Sequence, residues 1–323
     1  MLLAVSALCA LLGGLAAYAA TAAGPPPAPA VASSISPGDT PGSAVGTVAP
    51  TPASPDPSLT PLGEPTGAAN QATAGPGPGG THADPFSAAV SGYLAGRAGT
   101  VLAAIYDVST GQTWTLGTGR PQATGSVVKV DILQTLLATR PLGLTPADRA
   151  VARSMIENSS NPAATTLWDQ VGRAAGLSAY NASVGLTDTT PSTCLVCAGF
   201  GWPGWGLTTT TPADQLLLLR ELVDGAQLSA ADRAYAVSLM ENVEPDQRWG
   251  VSGGVPPGVR VALKNAWVPL TPPGTDWQVN SEGWISGDGR DYLIAILTTG
   301  NPDEQYGIDT ITTLSAMLWP AMG

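Results

Sequence analysis

The sequence predicts a mixed α/β chain of the α+β kind, with one antiparallel sheet built from both ends of the globular part and a helical subdomain inserted between them. Three observations lead there. Two strand patterns joined by a tight turn open the globular part, five helix patterns follow, and three strand patterns with one last helix close it. A sheet can collect the first and last strands while the helices form a second layer over it.

In chain order, 100–108 (TVLAAIYDV) and 112–118 flank Ser109-Thr110-Gly111 and read as a β-hairpin. The most apolar helix pattern spans about 126–139, and further helices are expected over about 146–157 and 162–171. Thr211 and Ser229 each stand three residues before an acid, Asp214 and Asp232, which marks helix starts for 212–224 and 230–241. Apolar, β-branched runs at 259–266, 277–285 and 292–299 predict strands, and 303–320 a final helix.

What precedes this part is of another kind. Residues 2–23 form an apolar, small-residue run with Ala-x-Ala sites and read as an export segment, either a cleaved signal peptide or a retained membrane anchor. Leu8 stands before Cys9 where lipoprotein processing wants a small residue, which argues against lipidation. Residues 24–84 hold 14 prolines and no lysine or arginine, and otherwise mostly Ala, Gly, Ser and Thr. Such a stretch buries too little apolar surface to offset its ordering entropy and reads as a disordered linker. The expected organisation is therefore 1–23 export segment or anchor, 24–84 linker and 85–323 globular domain, exported to the envelope or beyond and working as a monomer.

Charge and composition remove several functions. The net charge is −11 and the first arginine or lysine is Arg97, so no basic stripe can track a phosphate backbone and nucleic acid is excluded as a partner. The one histidine, His82, lies in a Pro/Gly/Thr-rich stretch where no packed site is expected, which argues against a Ser-His-Asp triad, a Cys-His pair or a histidine-rich metal centre. No metal and no cofactor is called for. Lysine occurs only twice, as Lys129 and Lys264.

Three short motifs can carry chemistry. Ser126-Val-Val-Lys129 opens the apolar helix, and its spacing puts hydroxyl and amine on one helix face. Without histidine, the base for a nucleophilic serine would be a lysine whose pKa is lowered by desolvation and a neighbouring cation. The helix N-terminus would add a positive dipole end and N–H groups for an oxyanion. Asn158-Ser159-Ser160-Asn161-Pro162 follows in a turn between helices, where Ser159 can relay a proton and Asn161 hold a substrate amide; ordinary helix-start chemistry accounts for the same residues. Lys264-Asn265-Ala266-Trp267 ends an apolar strand, as an edge-protecting lysine or as a cation for a substrate carboxylate.

Together, S-x-x-K, S-x-N and a strand-borne lysine in this order resemble the serine penicillin-recognising enzymes, in particular a divergent, actinobacterial-type branch of the class A β-lactamase-like group. The resemblance covers about 90–323 and includes Thr208-Thr-Thr-Thr-Pro212 before a Leu-rich helix. It implies Ser126 as acylated nucleophile, Lys129 as its base, Ser159 as proton relay to the leaving nitrogen and Lys264 as electrostatic partner of Ser159. It further implies an oxyanion hole from the backbone N–H groups of Ser126 and Trp267, with Asn161 on the acyl-side amide and Asn265 donating to a carboxylate.

Departures from the family pattern are equally specific. The strand motif reads Lys-Asn-Ala, so Ala266 puts a methyl where glycine would let a substrate lie against the strand. Ser160 stands in place of an aspartate, and 277–285 has no arginine for a carboxylate. No glutamate occurs between Glu157 and Glu221, where the family keeps its deacylating base; Asp188 is the least implausible substitute among Asp169, Asp188 and Asp214. That stretch instead carries Cys194-Leu-Val-Cys197 and two tryptophans, Trp202 and Trp205. Export favours a local Cys194–Cys197 disulfide over zinc or a redox motif. The tryptophans either pack a Gly-rich loop, roof the site or stack on a sugar.

Two readings follow: an exported serine hydrolase or acyl-enzyme former acting on a β-lactam or D-alanyl cell-wall peptide with slow release, or a catalytically weak member of the same fold serving as a cell-wall or ligand-binding module.

Overall fold

A computed structural model describes residues 82–197, 202–271 and 276–323, so the predicted export segment and nearly all of the linker lie outside the described residues. In chain order the elements are α1 (Ala88–Ala95), β1 (Thr100–Asp107), β2 (Thr113–Leu116), β3 (Gln122–Ala123), α2 (Val128–Ala138), α3 (Pro146–Glu157), α4 (Asn161–Gln170) and α5 (Arg173–Ser183). They continue with β4 (Thr209–Thr210), α6 (Pro212–Val223), α7 (Ala230–Glu241), β5 (Arg260–Thr271), β6 (Asp276–Gly287), β7 (Arg290–Asn301) and α8 (Glu304–Leu318).

Five strands form one antiparallel sheet in the order β2-β1-β7-β6-β5, so the strands from both chain ends meet where β1 pairs β7, with Ala104 opposite Ala295. The fold is thus the mixed antiparallel-sheet and helix arrangement read from the sequence. The hairpin closes because Asp107 Oδ1 accepts from the backbone N–H groups of Ser109 and Thr110, at 2.8 and 3.1 Å. Alternation along the strands divides the core. Ala104, Ala262, Leu293 and Ala295 face Ile132, Leu136, Met155 and Leu219 of the helical subdomain. Ile105, Leu263, Ile294 and Ile296 face Val90, Ile311 and Leu314 of α1 and α8. Each fully buried Leu or Ile contributes about 1.5–3 kcal/mol, so the two layers supply the dominant stabilising term.

Sequence and structure differ in five places. A 3-10 turn, Gly125–Val127, precedes α2, so the predicted helix at 126 starts with a tighter turn. Helix α1 has no apolar period, and α5 follows Gly172 at φ 88 and contains Gly176, features that mask both from a periodicity reading. The two-residue ribbon β3–β4 is too short to leave a pattern. His82 is not in an unpacked stretch: its N–H donates to Gln112 Oε1 at 2.7 Å and its Nδ1 lies 2.9 Å from Asp107 Oδ2, which ties it to the hairpin.

Candidate active site

The 3-10 turn that carries Ser126 is pinned from several sides. Asn280 Nδ2 donates to the carbonyls of Ala123 and Thr124, both at 2.9 Å, and Thr124 N donates to Thr208 O at 2.8 Å. Gly125 adopts φ 55, and a Cβ there would lie 2.9 Å from the Ala266 methyl, so only glycine lets the turn press onto β5. The Ala266 methyl is fully buried under that turn. It therefore props Ser126 from below and does not obstruct a substrate, which corrects the expectation drawn from its replacement of glycine.

Lys129, the second residue of α2, is carried into the core and is fully buried. Its Nζ lies 2.9 Å from Ser126 Oγ and 3.0 Å from Ser159 Oγ, and donates to Ser159 O at 2.6 Å and Asn161 Oδ1 at 2.9 Å. The last two atoms can only accept. As a free amine, Lys129 would give its two hydrogens to them and turn its lone pair toward the hydroxyls. Ser159 reaches this position through a left-handed backbone, φ 53, between α3 and α4, while Ser160 caps α4 by accepting from Ala163 N at 3.3 Å. Lys264 approaches from β5, its Nζ 3.0 Å from Ser159 Oγ and donating to Asn265 O at 2.9 Å.

Ser126, Lys129, Ser159, Asn161 and Lys264 thus converge. Burial, and then the nearby Lys264 cation, lower the Lys129 pKa to about 6. Burial lowers that of Lys264 to about 7, with Glu282 acting in the opposite direction. At neutral pH Lys129 is predominantly the unprotonated amine, the state a general base requires.

Trp267 and Ser126 both line a cavity of about 310 Å³, together with Ser159, Asn161, Trp202 and Trp205. Asn265 does not. It is buried with Nδ2 donating to Gln247 O at 2.7 Å and Trp249 O at 3.0 Å, because alternation along β5 turns it to the face opposite Lys264. Its expected contact with substrate is withdrawn. Asp188 is equally far from this role: it is exposed, with its N–H on Asp214 Oδ2 at 2.8 Å, and it is not a lining residue. Asp169 pairs with Arg173, and Asp214 accepts from Thr189 Oγ1 at 2.7 Å.

Trp205 stands against Lys129 in this segment. Its ring centroid is 5.0 Å from Lys129 Nζ, its Nε1 donates to Thr165 Oγ1 at 3.2 Å, and it stacks on Trp202 at 6.2 Å. A disulfide joins Cys194 and Cys197 in the same segment, with Cα atoms 5.8 Å apart, and Gly204 packs so closely that a Cβ there would meet Cys197 Sγ at 2.6 Å. Two buried acids near the lysines had not been singled out from the sequence. Asp131 is two residues beyond Lys129 on α2, and Glu282 faces Lys264 across the β5–β6 ladder. A charged residue on a central strand was the available signal.

Comparison with known proteins agrees with this architecture. A family model described as the beta-lactamase enzyme family matches residues 136–322, beginning after the Ser126–Lys129 pair. A relative from Mycobacterium tuberculosis, named "Putative lipoprotein LppW", is 27% identical over 232 residues, 68% of this chain and 70% of its own. Beta-lactamase AER-1 of Aeromonas hydrophila is 28% identical over 147 residues, 46% of this chain and 42% of its own. Among solved structures, a beta-lactamase from Chitinophaga pinensis superposes with a TM-score of 0.64 at 19% identity, covering 73% of this chain and 98% of that one. A beta lactamase from Xanthomonas campestris gives 0.61 at 19% identity, covering 72% and 96%. These structures share the fold; the family model, which spans more than half of the sequence, places the chain in the β-lactamase enzyme family.

Proposed function

We propose that the protein is an exported serine acyl-enzyme former of the β-lactamase and DD-peptidase type, acting on a β-lactam or a D-alanyl cell-wall peptide and releasing the acyl group slowly. The observation that carries this reading is the Lys129 amine, held within 2.9 Å of Ser126 Oγ and depressed to a pKa of about 6. Ser126 Oγ attacks the carbonyl carbon and forms the ester C–O bond as its proton passes to Lys129. The oxyanion is met by the backbone N–H groups of Ser126 and Trp267. On collapse the C–N bond breaks; Ser159 gives its proton to the leaving nitrogen and is reprotonated by the Lys129 ammonium, with Lys264 stabilising the charge on Ser159. Release needs a water activated by a base, and no carboxylate among the described residues is hydrogen-bonded to Lys129, Ser126 or Ser159. Losing such a base slows a step by about 10²- to 10⁴-fold. An envelope location is supported by the apolar segment 2–23 and by the relative named as a lipoprotein.

The inward turn of Asn265 favours a second reading, a ligand-binding module with little turnover. Intact-mass analysis after incubation with penicillin separates the two. Stoichiometric mass addition that disappears in Ser126→Ala supports acylation, and absence of any adduct at high concentration favours the module. Rapid hydrolysis of a chromogenic cephalosporin would overturn slow release.

A further inference from the structure

Ser159 presents one hydroxyl to two amines, Lys129 and Lys264, each 3.0 Å away. Acylation needs them in different states, Lys129 as free amine and Lys264 as ammonium. Both are fully buried, so desolvation alone does not choose between them. Their surroundings do differ. Glu282 lies directly opposite Lys264 in the antiparallel ladder, where paired side chains share a face with Cβ atoms about 4.5–5.5 Å apart. It is fully buried, and neither of its carboxyl oxygens has a hydrogen-bond partner. An unsatisfied buried group is destabilising, and the reaction as derived leaves this one without a role.

We propose that Glu282 is the positioning residue that breaks the symmetry between the two lysines: its carboxylate holds the proton on Lys264 and so leaves Lys129 as the free amine. The charge assignment puts the carboxylate on Glu282 and the ammonium on Lys264, with total charge unchanged from the neutral pair, and acts through space across the ladder and not through a direct hydrogen bond. The Lys264 ammonium then opposes a second cation at Lys129, 3.0 Å beyond the shared hydroxyl. Burial pushes the Glu282 carboxyl well above its usual range and the Lys264 cation pulls it back, while burial lowers Lys264 and Glu282 raises it, so each group favours the charged form of the other against its own desolvation. The ionisable groups that bear on Glu282 are Lys264 from β5 and Asp131 from α2; its partner on β7 is Ala295. Those of the other packed helices are engaged elsewhere: Asp214 with Thr189, Arg220 over Tyr106, Glu221 with Gln227 and Leu228 N–H, and Glu241 with Arg260.

The role in rate rests on the acyl-enzyme reading, whereas the charge assignment is a property of the free protein and is tested first. Because the chain has only two lysines, selective ¹³C labelling of lysine gives two Cε resonances, assigned with Lys129→Arg. In the native protein Lys264 is expected to titrate above Lys129, and in Glu282→Gln the Lys264 midpoint should fall by about one pH unit or more while that of Lys129 rises. Unmoved midpoints in Glu282→Gln, or Lys129 titrating above Lys264 in the native protein, would overturn the proposal. Glu282→Leu, which retains no carboxyl, provides the same readout should the glutamine variant not fold. Labelling by fluorescent penicillin at pH 7 should drop at least about tenfold in Glu282→Gln while its melting temperature holds or rises, a split that a purely structural role would not give. If the native protein takes no label at all, the acyl-enzyme reading fails, and the lysine titrations still decide the proposal.

Discussion

Trp205 presents its indole to Lys129, ring centroid 5.0 Å from Nζ, and with 2% of its surface exposed it seals the amine from water on that side. An aromatic wall and a carboxylate act on a lysine in opposite directions. A carboxylate would hold the ammonium by ion pairing, whereas the ring excludes water and leaves the charge poorly solvated, with only a partial return of about 0.5–2 kcal/mol from cation–π attraction. Under the proposed function, the residue that takes the place of a carboxylate beside Lys129 therefore keeps that amine usable as the base for Ser126.

Replacing Trp205 should expose that dependence. Lysine is an amine above its pKa, so acylation is expected to run above about pH 6 and to fail as the pH drops through that value. Trp205→Ala admits water and returns Lys129 toward 10.5, so the acidic limb of the pH–labelling profile moves up and labelling at pH 7 falls. The cavity also lowers stability by about 3–5 kcal/mol. Trp205→Phe, which keeps an apolar wall, should retain the limb near its native position. Profiles of penicillin labelling between pH 5 and 9, with melting curves, check both.

Gly125 and Ala266 form a second coupled pair. Gly125→Ala places a methyl 2.9 Å from the Ala266 methyl at φ 55, so the turn must lift and Ser126 with it. Overpacking is worth about 1–3 kcal/mol and the left-handed backbone about 1–2 kcal/mol. Adding Ala266→Gly removes only the first component. The double variant should regain part of the melting temperature and labelling rate of the single one, and a double-mutant cycle measures the coupling.

Much of the candidate site was legible because the residues that converge there lie in local sequence patterns. Ser126 and Lys129 share one turn, Ser159 and Asn161 another, and Lys264 interrupts an apolar strand. The hairpin and the last three strands announce themselves by alternation. What sequence reasoning left open or missed depends on contacts distant in the chain. Trp205 acquires meaning only against Lys129, 76 positions earlier, and Glu282 only through its register with Lys264. Asn265 was misassigned because its motif position indicated proximity, while the facing of its side chain follows from alternation on β5. The left-handed Ser159 likewise leaves no mark that a polar helix-start turn would not also leave.

Asp131 predicts a pH-dependent stability. It is buried, accepting from Asn181 Nδ2 at 3.0 Å and Thr135 Oγ1 at 3.3 Å, and burial raises its pKa from 3.8 to about 7. Between those values the folded form keeps a proton that the unfolded chain has released, so this residue's contribution to stability declines as pH rises from about 4 to about 7. Each unit of displacement corresponds to about 1.4 kcal/mol. Asp131→Asn carries no charge to bury. Its melting temperature should match the native value at pH 4 and exceed it by several degrees at pH 8; a constant difference across that range would contradict the assignment.

The cavity itself makes a prediction about substrate charge. None of its described lining residues is ionisable. Both lysines are fully buried and already hydrogen-bonded, and Asn265 faces the other way. A substrate carboxylate therefore meets indole faces, amides and hydroxyls without an exposed cation. A charge-assisted hydrogen bond is commonly worth about 1.5–3 kcal/mol, which corresponds to a loss of about 10- to 150-fold when it is removed. Here that loss should be missing: benzylpenicillin and its methyl ester are expected to label Ser126 at rates within about fivefold of each other, followed by intact mass over time. A free acid that labels far faster would mean that a buried lysine becomes accessible once substrate enters, because Ser159, which lines the cavity, lies 3.0 Å from both Lys129 and Lys264.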